Sequence, residues 1–334
     1  MVVVEEGGQE LTEDAMVLSQ IGKTIDGAGF AYFQLDCVSK NVADISLLEK
    51  YGHLRQINLS KNKIQNLEPL RGLEHLMRLN LASNDIESLE PLLAMKHLLY
   101  LDISGNKLTA LPKLTLPALK RVNLARNAIA SCADFDGHDG LEVLDLSENQ
   151  LESLAGVADM PLLTSLTVVG NRLASVDGLK DVPRLGMLDL SRNAFVTMAG
   201  PFETLPGLTK LDLSGNQIEA ASGLEALRSC ASLRDLALAE VPLASVDGVN
   251  VRLEVIIHSK SVQTLDGEEV TKEEREAAKE LHEKRVEEEK ERRRAEEEAR
   301  LAAEEEARLA AEAKAQEEAE ARAAAEAEAE AERE

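Results

Sequence analysis

From residue 54 onward the chain repeats one phrase of apolar and polar positions: apolar-x-x-apolar-x-apolar-x-x-Asn. It reads Leu54, Ile57, Leu59, Asn62, then Leu76, Leu79, Leu81, Asn84, and continues to Leu208, Leu211, Leu213, Asn216. The closing asparagines are Asn62, Asn84, Asn106, Asn127, Asn149, Asn171, Asn193 and Asn216, at intervals of 22, 22, 21, 22, 22, 22 and 23. The inner apolar-x-apolar core has period two and predicts a short strand. Repetition at a fixed interval predicts that each strand pairs in parallel with the next, about 4.8 Å away. Each Asn turns the chain out of its strand, and its amide can satisfy backbone groups that no strand or helix serves. Apolar residues then follow at +2, +5, +8 and +11, as in Ile64, Leu67, Leu70 and Leu73. That spacing of three predicts a 3₁₀ or short helical return. Pro112 and Pro117 fall in the 21-residue unit and predict an extended return there.

Eight tandem copies of this phrase are the leucine-rich-repeat signature. The predicted fold class is therefore α/β: a solenoid with a curved parallel sheet on one side and short helical returns on the other, growing in one dimension without a central core. The array starts one period before Leu54, where Tyr32, Leu35 and Cys37 fill the apolar slots and Lys40 replaces Asn. It ends with Leu233, Leu236 and Leu238, where Val241 replaces Asn. About ten coils run from residue 32 to roughly 254, and residues 262–267 look like an incomplete last coil.

Three segments are expected. Residues 1–29 form a helical N-terminal cap, with the helix over 12–22: Thr12, Glu13 and Asp14 suit a helix start, and Met16, Val17, Leu18 and Ile21 can share an apolar face. Residues 30–267 are the solenoid with its C-terminal cap. From residue 268 to 334 the composition shifts to Glu, Ala, Arg and Lys, all strong helix formers, behind a capping box formed by Thr271 and Glu274. The octapeptide Glu-Glu-Glu-Ala-Arg-Leu-Ala-Ala occurs at 296–303 and again at 304–311. Favourable i,i+4 pairs recur, among them Glu280–Lys284, Glu289–Arg293 and Glu304–Arg308. An eight-residue repeat turns its leucine by about 80° per unit, so Leu301 and Leu309 hold no coiled-coil seam. A solitary charge-stabilised helix is the expectation; a coiled coil and a disordered acidic tail stay open.

The net charge of −24 and pI of about 4.7 argue against nucleic acid and against anionic membrane surfaces as partners. Trp is absent and aromatics are 2%, so base-stacking platforms are not expected. Cys37, Cys132 and Cys230 are odd in number and sit in or near apolar slots, which reads as buried free thiols in a reducing compartment. No run of 18 apolar residues is present, and the start of the chain lacks the basic and apolar regions of a secretory signal. A cytoplasmic protein, or a soluble part of an intracellular assembly, is expected.

Candidate chemistry is thin. Gly22-Lys23-Thr24 ends like a phosphate loop, but Val17 stands where that motif needs glycine. His53, His75 and His97 form a column that could titrate together or share a metal, but the column stops and no carboxylate or Cys completes it. Asp102, Asp145, Asp189 and Asp212 share a column with Asn58, Asn80 and Asn123 and read as a solvated ladder on the concave face. No nucleophile–base or metal-ligand spacing emerges, so neither catalysis, cofactor nor metal is expected. The concave strand face is the candidate interface. Between the apolar slots it carries Arg55, Arg78, Tyr100, Arg121, Val143, Met187 and Lys210, with Lys120 close by. This basic-to-apolar track on an acidic protein predicts capture of an acidic or amphipathic protein segment.

Some residues go further than the generic repeat. Leu265-Asp266-Gly267, Val270-Thr271 and Glu274-Arg275 resemble the C-terminal cap of the 22-residue subclass found in the phosphatase-1 regulatory subunit and in axonemal dynein light chain 1. Leu11-Thr12-Glu13-Asp14, Gly22-Lys23-Thr24, Ala31-Tyr32-Phe33-Gln34-Leu35, Ile45-Ser46-Leu47-Leu48 and Tyr51-Gly52-His53-Leu54-Arg55 resemble the leucine-rich repeat-containing protein 23 family, also the radial spoke protein 15 family. The likeness covers roughly residues 10–285; the Ala/Glu tail matches in composition only. It implies a non-catalytic radial-spoke component of the motile axoneme that binds other spoke proteins. A regulatory subunit or adaptor for a phosphatase, dynein or tubulin is the alternative.

Overall fold

The structure is a computed structural model and describes residues 8–24, 27–198, 200, 202–246 and 249–331. The repeated phrase becomes nine three-residue strands: β5 (Gln56–Asn58), β6 (Arg78–Asn80), β7 (Tyr100–Asp102), β8 (Arg121–Asn123), β9 (Val143–Asp145), β10 (Ser165–Thr167), β11 (Met187–Asp189), β12 (Lys210–Asp212) and β13 (Asp235–Ala237). Each pairs in parallel with its neighbours, with Arg78 opposite Tyr100, Tyr100 opposite Arg121 and Arg121 opposite Val143. The central residue of every strand is buried and the two flanking ones face the open side, as period two requires. The first leucine of the phrase forms a buried column from Leu54 through Leu119 to Leu233, each at most 1% exposed.

The asparagines bind coil to coil. Asn84 donates to Leu81 O in its own coil and to Leu59 O in the coil before, at 2.9 and 3.1 Å, and accepts from Ile64 N–H at 3.0 Å. The same three bonds recur at Asn149 and Asn171. Asn127, in the short unit, keeps the bonds but is only half-buried. The returns vary. Short 3₁₀ turns occupy Ser46–Lys50, Glu68–Leu70, Glu90–Leu92, Phe202–Thr204 and Ala221–Ser229. In the middle coils the expected helical return is replaced by plain turns, with isolated bridges Ala110–Ser131 and Ala158–Lys180. There, close backbone approach between coils substitutes for local helix hydrogen bonds, and the proline-containing return is extended as its sequence predicts.

The N-terminal cap corrects the sequence expectation of a helix over 12–22. Only Glu13–Ala15 makes a single 3₁₀ turn; Val17–Lys23 is strand β2, antiparallel to β3 (Phe30–Asp36). β3 in turn pairs in parallel with β5. A short strand β1 (Gln9–Glu10) pairs with β4 (Val42–Asp44). The physical reason is the open edge of the first coil. Its unpaired N–H and C=O groups are satisfied by another strand and not by a helix, and the tertiary pairing outweighs a weak local helical pattern. The hairpin also changes the first apolar slot: Tyr32 is 40% exposed, because it stands opposite Ile21 in the β2–β3 hairpin instead of entering the core.

At the other end β14 (Thr264–Leu265) adds in parallel to β13, and β15 (Glu268–Glu269) closes the sheet antiparallel. Asp266 and Gly267 both have positive φ, 53° and 82°, and the Asp-Gly pair makes the two-residue hairpin turn. Asp266 accepts Leu238 N–H through its side chain at 2.7 Å, a donor that would otherwise lack a further strand. Helix α1 (Val251–His258), capped by Asn250, packs beneath. Its Arg252 binds Glu274 through two nitrogens, at 2.5 and 3.2 Å, and also reaches Glu268 and the carbonyls of Leu265 and Glu269. The predicted capping box is present: Thr271 N–H donates to Glu274 at 2.8 Å and Glu274 N–H to Thr271 Oγ1 at 3.2 Å.

Helix α2 runs from Lys272 to Ala331 without a break. Past Arg275 it forms a second unit of the chain. Glu289–Arg293 pairs as predicted at 2.9 Å. Lys284 reaches forward to Glu288 at 3.7 Å and not back to Glu280, and Arg300 reaches Glu304 at 3.9 Å. Exposed pairs of this kind are screened by water and add little to stability. The high intrinsic propensity of Ala and Glu carries the helix.

Candidate interaction face on the concave sheet

The register of the sheet places one side chain per strand along the concave face. At the entry position the column runs Gln34, Gln56, Arg78, Tyr100, Arg121, Val143, Ser165, Met187, Lys210, Asp235 and Thr264. Arg55 is therefore not in the same column as Arg78. It stands one residue earlier, outside the strand, with its guanidinium 4.2 Å from the Phe33 ring centroid. Gln56 occupies the column in its place. The offset between Arg55 and the phrase's second apolar slot, Ile57, gives this away in the sequence. Lys120 stands in the Arg55 position of its own coil and is bound to Glu142 at 2.7 Å. That bond raises the Lys120 pKa and lowers that of Glu142, so this lysine is occupied.

What remains is a row of three. The Arg78 guanidinium lies 4.5 Å from the Tyr100 ring centroid and that of Arg121 lies 5.8 Å from it. Among the described residues neither guanidinium forms a hydrogen bond or an ion pair. Both Arg side chains are exposed, while Tyr100 and Val143 are half-buried. Together they line a trough of about 520 Å³, floored by Ile57, Leu79, Leu101 and Val122. Met187 and Lys210 lie on β11 and β12, beyond Ser165. Lys210 lines a separate depression with Asp235 and Thr264. The eight sequence candidates thus divide into a central group, Arg78, Tyr100, Arg121 and Val143, and outliers.

The exit position of the strands is the acid and amide column. It is not simply solvated. Asp102, Asp145 and Asp189 each accept from the backbone N–H and the hydroxyl of the serine two residues on. Asn58 does the same with Ser60, and Asn80 and Asn123 accept the backbone N–H of Ala82 and Ala125. These side chains close the turn out of each strand. Beside Arg78 and Arg121 the column holds Asn58, Asn80 and Asn123 with a single carboxylate, Asp102, between them, and further on it is mostly carboxylate (Asp145, Asp189, Asp212). The trough is therefore most positive over β6 to β8.

His75 and His97 stack with ring centroids 6.5 Å apart, and among the described residues His53 Nδ1 is buried without a hydrogen-bond partner. Among the described residues no group of three His, Cys, Asp or Glu side chains is placed to hold a metal ion. The three cysteines are unpaired and buried, and loss of hydration pushes the thiols of Cys132 and Cys230 up to about 12 and about 11. They pack as small apolar groups and not as nucleophiles. Among the described residues no helix is long and apolar enough to cross a membrane.

Comparison with known proteins agrees with this architecture. Leucine-rich-repeat families match residues 170–295, 117–173 and 94–110. Repeats of this kind are in general protein-binding scaffolds and not enzymes. Among solved structures, TLR13 in its complex with ssRNA13 superposes with a TM-score of 0.55 at 24% identity, over 70% of this chain and 38% of its own; at that identity the likeness is one of fold. Leucine-rich repeat-containing protein 23 of Bos taurus is 32% identical over 82% of this chain and 80% of its own. The Homo sapiens protein of the same name is 33% identical over 303 residues, 83% of this chain and 81% of its own. At that identity and coverage, the chain belongs to the leucine-rich repeat-containing protein 23 family.

Proposed function

We propose that this protein is a non-catalytic structural component of the motile cilium or flagellum, a radial-spoke subunit that holds another spoke protein on its concave sheet. The observation that carries the reading is the Arg78–Tyr100–Arg121 row. Among the described residues, two guanidiniums with no hydrogen-bond or ion-pair partner flank an aromatic ring that lines a trough on an otherwise acidic chain. Free Arg and half-buried Tyr are the side chains that dominate protein interfaces. An acidic or amphipathic segment satisfies the guanidiniums and covers Tyr100 and Val143. The resemblance of residues 10–285 to the radial spoke protein 15 family supplies the assembly. Helix α2 supports it too, because its 60 residues reach about 90 Å at 1.5 Å per residue, a length suited to bridging parts of a large complex.

Two measurements test this. The protein should stay with detergent-extracted axonemes and be lost from axonemes that lack radial spokes. The Arg78→Glu, Arg121→Glu double variant should lose capture of its axonemal partner while keeping its circular dichroism. Retention on spokeless axonemes, or a pull-down that returns chiefly a soluble phosphatase, overturns the reading.

A further inference from the structure

A helix laid along the solenoid axis would meet the trough strand by strand. Successive strands stand about 4.8 Å apart, and a helix advances 4.8 Å in about 3.2 residues. A helix in the trough therefore offers one residue to each strand near i, i+3, i+6 or i+7, and i+10, with i+11 lying about 2 Å beyond the fourth strand. The partner of Arg78, Tyr100, Arg121 and Val143, read along the sheet, is then acid, apolar, acid, apolar at that spacing.

This chain contains such a helix. In α2, Glu298, Leu301, Glu305 and Leu309 stand at i, i+3, i+7 and i+11. At about 100° per residue they fall within an arc of about 80° on one face. Their rises from Glu298 are about 4.5, 10.5 and 16.5 Å, against about 4.8, 9.6 and 14.4 Å for the three strand steps from Arg78. Leu301 and Leu309 are each 53% exposed, and among the described residues Glu298 and Glu305 form no ion pair. Residues 296–311 hold six Glu and two Arg, a net negative surface to set against the positive one over β6 to β8.

We infer that the trough of one molecule binds residues 298–309 of a second copy, with Glu298 on Arg78, Leu301 over Tyr100, Glu305 on Arg121 and Leu309 over Val143. The inference rests on the concave face being an interface, as proposed above, and names one occupant of it. Polarity argues for a second copy. α2 begins after β15, the last strand, so a helix folded back over its own trough meets β9 before β6 and offers the four residues in reverse order. α2 also has no Gly or Pro at which to fold back.

Sedimentation velocity of the full chain tests it. At about 50 mM salt the protein should self-associate, and at about 500 mM the association should fall, because the contact is between exposed charges. Arg78→Glu with Arg121→Glu, and separately Glu298→Arg with Glu305→Arg, should each weaken self-association by about 30-fold, the loss of two charge pairs. The chain carrying all four changes should recover to within about threefold of wild type. A photo-cross-linking amino acid at position 100, in a mixture of light and ¹⁵N-labelled chains, should join to residues 296–311 of the other isotope. A monomer under all conditions, cross-links within one isotope only, or no recovery in the fourfold variant overturns the inference. Should self-association fail while the Arg78/Arg121 variant still loses its axonemal partner, the concave interface stands and its occupant is a different acidic helix.

Discussion

Arg78 and Tyr100 are register partners on adjacent parallel strands, and the Arg78 guanidinium lies 4.5 Å from the centroid of the Tyr100 ring. The ring orients Arg78 on one side and Arg121 on the other without using the donors of either. It thus biases two side chains that stand two strands apart toward one geometry, which each would otherwise adopt only at an entropic cost. Tyr100→Phe keeps the ring and should leave partner capture within about twofold. Tyr100→Ala removes both cation–π contacts and should weaken capture about tenfold, near 1.4 kcal/mol. Affinity measured by titration against the partner proposed for the concave face distinguishes the two. Equal behaviour of Phe and Ala would remove the ring from the account.

The asparagine ladder predicts a graded loss. Asn149→Ala strips Ile129 N–H, Leu124 O and Leu146 O of their partner inside a site where the amide is 8% exposed. A cost of about 2–3 kcal/mol is expected. Asn127→Ala removes the same set of bonds in the 21-residue unit, where the residue is half-buried and water can replace it. There the cost should be near 1 kcal/mol. Because each coil touches only its neighbours, hydrogen exchange should rise in the coils around the substituted residue and stay unchanged at β5 and β13. A uniform rise would mean that the array behaves as one cooperative core.

The ladder shows what a sequence of this kind carries openly. Strand positions, their register and the buried column from Leu54 to Leu233 follow from a phrase repeated eight times, because each copy votes for the same backbone. The ends do not repeat, and there the local pattern misled. Met16, Val17, Leu18 and Ile21 suit a helix face as well as a strand; the exposed edge of β3 decided between them, and no local pattern encodes an edge. The candidate interface was half legible. The column Arg78, Tyr100, Arg121, Val143 could be read from register alone. That Lys120 is bound by Glu142, and that Arg55 lies on Phe33, depends on where long side chains settle. The serine bonds of Asp102 and Asp145 were visible as Asp-x-Ser spacing, yet a carboxylate column on a concave face reads first as a solvated surface.

Two glycines with similar backbone angles should respond differently to a methyl group. Gly156 has φ +92° and Gly267 φ +82°, so alanine is strained at both. At Gly267 nothing lies within 4 Å of the added carbon, and Gly267→Ala should cost about 1 kcal/mol. At Gly156 the added carbon would stand 1.9 Å from Cys132 O in the preceding coil. That contact is backbone and cannot rotate away, so Gly156→Ala should cost about 3 kcal/mol or more and loosen the coils on either side. Chemical denaturation of both variants checks the order. Equal losses would show that the coils can separate freely at this point.

The C-terminal cap carries the clearest pH signature. Arg252 donates to Glu274, and with the Thr271 N–H it lowers the Glu274 pKa from 4.5 to about 2. The folded state therefore holds the charged carboxylate more firmly than the unfolded chain does. The stabilisation is complete above the unfolded pKa near 4.5 and is lost as pH falls toward 2. Partial solvent exposure of both side chains reduces its size to about 1–2 kcal/mol. Glu274→Gln keeps a side chain able to complete the capping box and removes only the charge. Its stability deficit should be about 1–2 kcal/mol at pH 7, shrink steadily between pH 4.5 and pH 2, and vanish below it. Denaturation curves for the two proteins at pH 7, 4 and 2 measure this. A deficit that persists unchanged at pH 2 would assign the cap's stability to packing of the Arg252 stem and not to the charge on Glu274.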